Sequence, residues 1–171
     1  MPLNTAKLAA RVERARYPLT QRVRYKLGKG GFKPSSATPA PDWLCDCSGF
    51  VSWAIGISRF QGNKRKPWSA HIPWIETTAI VQDATGLKRL FKEIEAPVPG
   101  CLVVYGDSGK RQGHVGIVSV VRSAKDYDVI DCNASIARRL TGRAIGESSR
   151  HAFRGNPRAI FVVLSEDFEA A

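Results

Sequence analysis

The first half of the chain spaces its apolar residues as helices do. Leu8, Val12 and Ala15 lie on one helical stripe, which predicts a first helix over residues 6–17 with Asn4 as its N-cap. The later helical segments are predicted over residues 50–57 (a continuous apolar run), 74–82 and, as a short third piece, 87–94.

The second half of the chain contains short apolar runs of strand length, separated by turn residues. The strands are predicted over residues 101–105, 114–122, 127–133 and 159–164. Short polar connections join the first three, so we expect an antiparallel meander. Helices followed by a meander favour the α+β class, with a helix packed on one face of the sheet and one domain over residues 1–171. Loops are predicted over residues 32–42 and 61–73.

Composition and charge limit the possible partners without choosing among them. Hydrophobic residues make up 43% of the 171 positions, yet no run approaches the ~18 apolar residues of a membrane-spanning helix. Lys and Arg number 26 against 15 Asp and Glu, and the net charge of +11 favours nucleic acid, anionic lipid or acidic envelope polymer. The basic clusters at 64–66, 110–111 and 138–139 are short and dispersed, so we expect solvated surface and no dedicated nucleic-acid site.

The four cysteines do not form a metal-binding pattern. Cys45 and Cys47 are separated by one residue, whereas zinc sites usually separate paired cysteines by two to four, and no second pair follows. We therefore expect no metal or other cofactor, and a domain of this size does not need disulfides. Cys101 and Cys132 lie in apolar runs and are expected in the core, while Cys45 can pair reversibly with a reactive neighbour.

Cys47 and His114 are the candidate reacting pair. Cys47 lies where an apolar helix is expected to begin, and His114 lies between Gly113 and a buried strand. A helix N-terminus and a neighbouring imidazolium both lower the pKa of a thiol, and the thiolate is the strong nucleophile. Backbone N–H groups at a helix start can also donate to the oxyanion of a tetrahedral intermediate. The other histidines, His71 and His151, lie in polar, loop-like segments and are expected to be ordinary surface residues.

A third group is needed to orient the imidazole and fix its tautomer. Alternation along the predicted strand over 127–133 places Asp131 and Asn133 on one face and Cys132 on the other. Either polar side chain can accept from His114. Asn133, at the strand end, is our prediction for the third catalytic residue, so Asn133→Ala is expected to cost more activity than Asp131→Ala.

Several short motifs resemble the NlpC/P60 and CHAP group of cysteine peptidases and amidases. The nucleophile motif of that group is similar to Asp46-Cys47-Ser48-Gly49, and its histidine motif to His114-Val115-Gly116-Ile117. Its Pro-Gly-x-Leu strand resembles residues 99–102, and Tyr25 and Gly30-Gly31 resemble residues that precede the nucleophile in many members. CHAP-like members have an acid and an asparagine two residues apart, as Asp131 and Asn133 are, and residues 133–137 resemble type VI secretion amidase effectors.

The resemblance implies a papain-like fold, with Cys47 as nucleophile and His114 as base, and hydrolysis of amide bonds in cell-wall stem peptides through an acyl-enzyme. It implies a type VI amidase effector or a phage-type cell-wall hydrolase.

Because the start of the chain lacks the apolar stretch of a secretory signal, we expect cytoplasmic synthesis and action in the periplasm or cell wall after specialised export or lysis. A monomer acting on peptidoglycan is favoured.

The alternatives to a peptidoglycan hydrolase are a thiol acyltransferase or deamidase, and a basic, non-hydrolytic binding module for envelope or nucleic acid. The segment 61–82, with Trp68 and Trp74, either walls a substrate cleft or covers the edge of the core.

Overall fold

The computed structural model describes residues 1–60, 74–87 and 89–169. Helices in this part of the chain are α1 (Thr5–Arg16), α2 (Cys47–Ala54), α3 (Thr77–Gln82) and α4 (Ile136–Thr141). Its strands are β1 (Arg24–Tyr25), β2 (Leu44–Cys45), β3 (Phe91–Ile94), β4 (Leu102–Tyr105), β5 (His114–Ser123), β6 (Asp126–Cys132), β7 (Ile145–Ser148) and β8 (Ile160–Leu164). Helices and an antiparallel sheet in one fold confirm the predicted α+β class. Within the same residues, no helix has the length and apolar character needed to cross a membrane.

The main sheet has six antiparallel strands in the order β3-β8-β4-β5-β6-β7. Its centre is the predicted meander β4-β5-β6, in which Gly116 pairs with Asp131 and Ile117 with Ile130. The strands β1 and β2 form a separate parallel pair, which brings Tyr25 beside Cys45. The β5–β6 pairing therefore places the strand that begins at His114 beside the strand that contains Asp131. The β1–β2 pairing places Tyr25 beside the residues that immediately precede Cys47.

Both faces of the sheet are buried. On one face, α2 packs against β5 and β6, and its Phe50 and Val51 are fully buried beside Ile117 and Ile130. On the other face, Leu8 of α1 belongs to a second core. That core contains Val103, Val118, Val129, Phe153 and Val163. The α2 helix is therefore fixed on a rigid support, which restrains the position of its first residue.

Side chains cap the starts of helices α1 and α2. Asn4 accepts a hydrogen bond from the N–H of Lys7 at 3.0 Å, which confirms the predicted N-cap of α1. The second helix begins at Cys47, three residues before the predicted apolar run, because Asp46 caps it by accepting from the N–H of Gly49 at 2.8 Å. Every residue of α2 is buried, including Ser48 and Ser52.

Several elements differ from the sequence prediction. The predicted short helical piece over 87–94 is wrong: Phe91–Ile94 forms edge strand β3, because the carboxylate of Asp83 accepts from the N–H groups of Leu90 and Phe91 and turns the chain there. The helix predicted over 74–82 begins only at Thr77, capped by Glu76. No element is predicted over residues 134–158, which contain α4 and β7. The loop predicted over 61–73 lies outside the described residues.

Candidate active site

Cys47 is the first residue of α2 and is 6% exposed. It lies in a cleft of about 170 Å³. Other residues lining this cleft include Tyr25, Arg59, Glu76, Thr77, Asp107 and Gly113. Burial raises the pKa of Tyr25 above its ordinary value, and the neighbouring Cys47 and Asp46 raise it further. The Tyr25 hydroxyl therefore stays protonated at neutral pH and can act as a hydrogen-bond donor in the cleft.

A buried ion pair fixes the residue before the thiol. The carboxylate of Asp46 accepts from both terminal nitrogens of Arg59, at 2.7 and 2.8 Å, and from the N–H of Gly28 at 2.6 Å. Asp46 and Arg59 are 0% and 2% exposed. The guanidinium of Arg59 also donates to Ser48 Oγ at 2.9 Å and lies 4.7 Å from the ring of Trp74. Bidentate pairing of this kind holds a carboxylate in one orientation, so Arg59 fixes the helix cap and, with it, the position of Cys47.

The sequence alone did not single out Arg59. This residue lies outside the motifs that resemble the NlpC/P60 and CHAP group, and the segment 61–82 that follows it matches none of them. The described part of the segment 61–82 contributes Glu76 and Thr77 to the lining of the Cys47 cleft. Trp74 packs on Arg59 and edge-on against Phe32 and Phe60. Trp68 and His71 lie outside the described residues.

Glycines let the loop before the nucleophile approach α2 closely. A Cβ on Gly49 would lie 2.2 Å from the carbonyl oxygen of Lys29, and a Cβ on Gly31 would lie 2.4 Å from the carbonyl oxygen of Gly49. Gly31 also has a φ of +73°, which favours glycine. This close backbone contact gives the physical reason for the glycines in both motifs.

His114 is the first residue of β5, and its side chain is 13% exposed. Its Nε2 lies 2.7 Å from Oδ2 of Asp131. Burial lowers the pKa of His114, but the hydrogen bonds to Asp131 and Cys47 outweigh it and raise the value to about 10. Because Asp131 occupies Nε2, the other ring nitrogen, Nδ1, is the one left for Cys47. The structure thus brings together the predicted pair Cys47 and His114.

The third position requires a correction. The partner of the imidazole is Asp131, not the predicted Asn133. The amide Nδ2 of Asn133 donates to both oxygens of Asp131, at 3.0 and 3.1 Å, and its Oδ1 accepts from the N–H of Ser135. The physical reason is that an anionic carboxylate attracts both the imidazole and the amide donor. Asn133 therefore acts on His114 only through Asp131.

An aromatic ring supports the imidazole. Phe153 stacks on His114 with ring centroids 5.1 Å apart and an interplanar angle of 15°. Tyr105 lies edge-on to Phe153 at 5.6 Å. With Asp131 in the plane of the imidazole and Phe153 on its face, the ring has little rotational freedom.

Of the remaining candidates, His151 lines a cavity together with His114, Asp131 and Asn133. The Nε2–H of His151 donates to the carbonyl oxygen of Tyr127 at 3.0 Å. All four cysteines are buried free thiols, and Cys101 and Cys132 are core residues as predicted. Cys132 Sγ donates to the carbonyl oxygen of Cys45 at 3.4 Å. Among the described residues, no three His, Cys, Asp or Glu side chains form a group that could hold a metal ion.

A thiol at a helix start, an imidazole beside it and a polar side chain behind the imidazole are the arrangement that papain-type thiol enzymes use. Residues 33–133, more than half of the chain, match the profile of the CHAP domain. The chain therefore belongs to the CHAP family, within the NlpC/P60–CHAP superfamily of cysteine peptidases and amidases.

One solved structure is similar over most of the chain. It is that of NlpC1 from Trichomonas vaginalis, with 19% sequence identity and a TM-score of 0.46. The match covers 90% of this chain but 42% of NlpC1, so the chain spans less than half the length of that protein. No curated protein sequence gives a significant match.

Proposed function

We propose that the protein hydrolyses amide bonds in the stem peptides of peptidoglycan, with Cys47 as nucleophile, His114 as acid and base, and Asp131 behind His114. The observation that carries this proposal is the 2.7 Å contact between His114 Nε2 and Asp131 Oδ2. Cys47 lies close enough to His114 to raise its pKa together with Asp131. Membership of the CHAP family, whose domains are typically amidases or peptidases, supports the reaction class.

The first half of the reaction forms a thioester. The Cys47 thiolate attacks the amide carbonyl carbon, and backbone N–H groups at the start of α2 stabilise the oxyanion. The tetrahedral intermediate collapses as the C–N bond breaks, and the imidazolium of His114 gives its proton to the departing amine. Asp131 stabilises the imidazolium and keeps Nδ1 directed at the thiol.

The second half releases the acyl group. Neutral His114 takes a proton from water as the water oxygen attacks the thioester carbonyl. The C–S bond then breaks, which yields a free carboxylic acid and restores the Cys47–His114 pair. We further propose that this chemistry takes place in the periplasm or cell wall, because that is where the polymer lies.

Digestion of purified peptidoglycan followed by mass analysis of the released muropeptides tests the proposal. We expect new fragments whose masses correspond to hydrolysis of one stem-peptide amide bond. In water enriched in the heavy oxygen isotope, the new carboxylate gains one heavy atom. No new fragment from any peptidoglycan would contradict the proposal.

A thiol acyltransferase or deamidase uses the same two residues, and the products distinguish it. A transferase would join the acyl group to an added amine without gaining heavy oxygen, and a deamidase would release ammonia without cleaving the peptide. A non-hydrolytic binding module would bind in a salt-dependent way and would be indifferent to alkylation of Cys47.

A further inference from the structure

A second cavity, of about 360 Å³, adjoins the Cys47 cleft. Tyr25 lines both spaces, and Asn133 of the His114–Asp131–Asn133 chain also lines the second one. Three arginines face it, Arg24, Arg138 and Arg139, and none of the described residues that line it is acidic. A group bound in this cavity therefore lies beside the reacting residues and within a region of positive potential.

Arg138 is held in place at this cavity. Its side chain is 18% exposed, and its Nη2 lies 3.5 Å from Oδ1 of Asp131. The guanidinium rests on the α-carbon of Gly146, where any Cβ would overlap it. A contact of 3.5 Å to one carboxylate oxygen is at the outer limit of a hydrogen bond. Among the described residues, Asp131 is the only hydrogen-bonding partner of this guanidinium, so Arg138 retains donors for a ligand.

Charged side chains are distributed unevenly between the second cavity and the Cys47 cleft. Arg24, Arg138 and Arg139 lie on the Asn133 side, whereas Glu76 and Asp107 line the Cys47 cleft. Three guanidinium groups around one cavity repel one another, and an anion placed between them relieves this repulsion. The planar, forked donors of arginine match a carboxylate in particular. Tyr25 lines both the cavity and the Cys47 cleft, which places an anion in the cavity within reach of a peptide bound at Cys47.

We propose that the cavity lined by Arg24, Arg138 and Arg139 binds a free carboxylate of the substrate, close to the scissile amide. This inference rests on the proposed function and adds a specificity to it: the enzyme prefers stem peptides that carry an unmodified carboxylate at this position and discriminates against their carboxamides.

Synthetic stem peptides test the inference, with each free carboxylate replaced in turn by a carboxamide. For the wild-type protein, we expect one of these replacements to lower kcat/KM by about 10- to 100-fold, mostly through KM, the size expected for a lost charge-assisted hydrogen bond. Arg139→Gln and Arg24→Gln should raise KM for the parent peptide and remove most of the discrimination. Both arginines are exposed, so the fold should persist.

Arg143→Gln is the matched control, since Arg143 is an exposed arginine just after α4 that does not line the cavity. It should keep both the KM and the discrimination. Equal cleavage of every carboxamide by the wild-type protein would overturn the carboxylate site while leaving the proposed function intact, and so would discrimination that survives in Arg139→Gln and Arg24→Gln. Failure to cleave any of the peptides would instead contradict the proposed function.

Discussion

Nε2 of His114 and Oδ2 of Asp131 lie 2.7 Å apart, with side chains that are 13% and 6% exposed. A carboxylate this close and this well shielded favours the charged imidazolium and fixes which nitrogen faces the thiol. Asn133 and Arg138 both contact the same carboxylate. Asp131 is therefore the centre of the polar network behind the imidazole.

The first prediction concerns the order of importance of Asp131 and Asn133. Asp131→Asn should lower kcat by roughly 10²- to 10⁴-fold, because it removes the charge that stabilises the imidazolium. Asn133→Ala should cost less than this, since Asp131 remains in contact with His114. Steady-state kinetics on a stem peptide measures both. A larger loss in Asn133→Ala than in Asp131→Asn would restore Asn133 as the direct partner.

The second prediction concerns pH. The pKa of His114 is raised to about 10 from its ordinary value of 6.5. A raised value means that the contacts of the imidazolium stabilise the fold fully below pH 6.5 and that this contribution disappears as the pH rises through about 10. Acylation needs the imidazolium as proton donor, so kcat/KM, which reports the pKa values of the free enzyme, should fall on the alkaline side near the same pH.

Two variants separate the causes of this pKa. Asp131→Asn removes the negative charge beside His114, and Cys47→Ala removes the neighbouring thiol, so each should lower the pKa of His114, as measured by NMR titration of the imidazole. An unchanged titration of His114 in Asp131→Asn would mean that the carboxylate does not control the imidazole.

The third prediction concerns the buried pair Asp46–Arg59. Arg59→Met should lower the free energy of unfolding by about 3–5 kcal/mol, because it leaves the carboxylate of Asp46 buried without its cation. Urea denaturation measures this loss. Arg16→Gln is the control, because Arg16 pairs with Glu13 and Glu147 at the exposed surface, and such pairs contribute little. Equal destabilisation by the two substitutions would remove the structural role assigned to Arg59.

Hydrophobic alternation and short connections were sufficient to predict the meander. The pair Cys47–His114 was predicted from the position of each residue at the start of a helix or strand and from the resemblance of the motifs around them. The sequence also placed Asp131 and Asn133 on one face, which their mutual hydrogen bonds confirm. The sequence could not decide which of these two residues contacts His114. Extending the pairing of Gly116 with Asp131 by two residues puts Asn133 directly opposite His114, yet the imidazole reaches the diagonal neighbour Asp131. Strand periodicity contains no information about this side-chain direction.

Other features depended on contacts between residues distant in sequence. The strand β3 is made by pairing with β8, whose residues follow it by about seventy positions in the chain (Phe91 pairs with Leu164). Its own short sequence fits a helix or a strand equally well. Arg59 shows the same limit, because only the folded chain brings its guanidinium to Asp46.

The central claim is that the thiol of Cys47 performs the reaction, and the release of soluble fragments from purified peptidoglycan by wild-type, Cys47→Ala and Cys101→Ala proteins tests it most directly. Cys101 is a fully buried thiol in the other core, so its substitution makes the same chemical change away from His114. We expect Cys47→Ala to fold, as judged by circular dichroism and its unfolding midpoint, and to release nothing above background, while Cys101→Ala stays active. Wild-type levels of release by a folded Cys47→Ala protein would contradict the account.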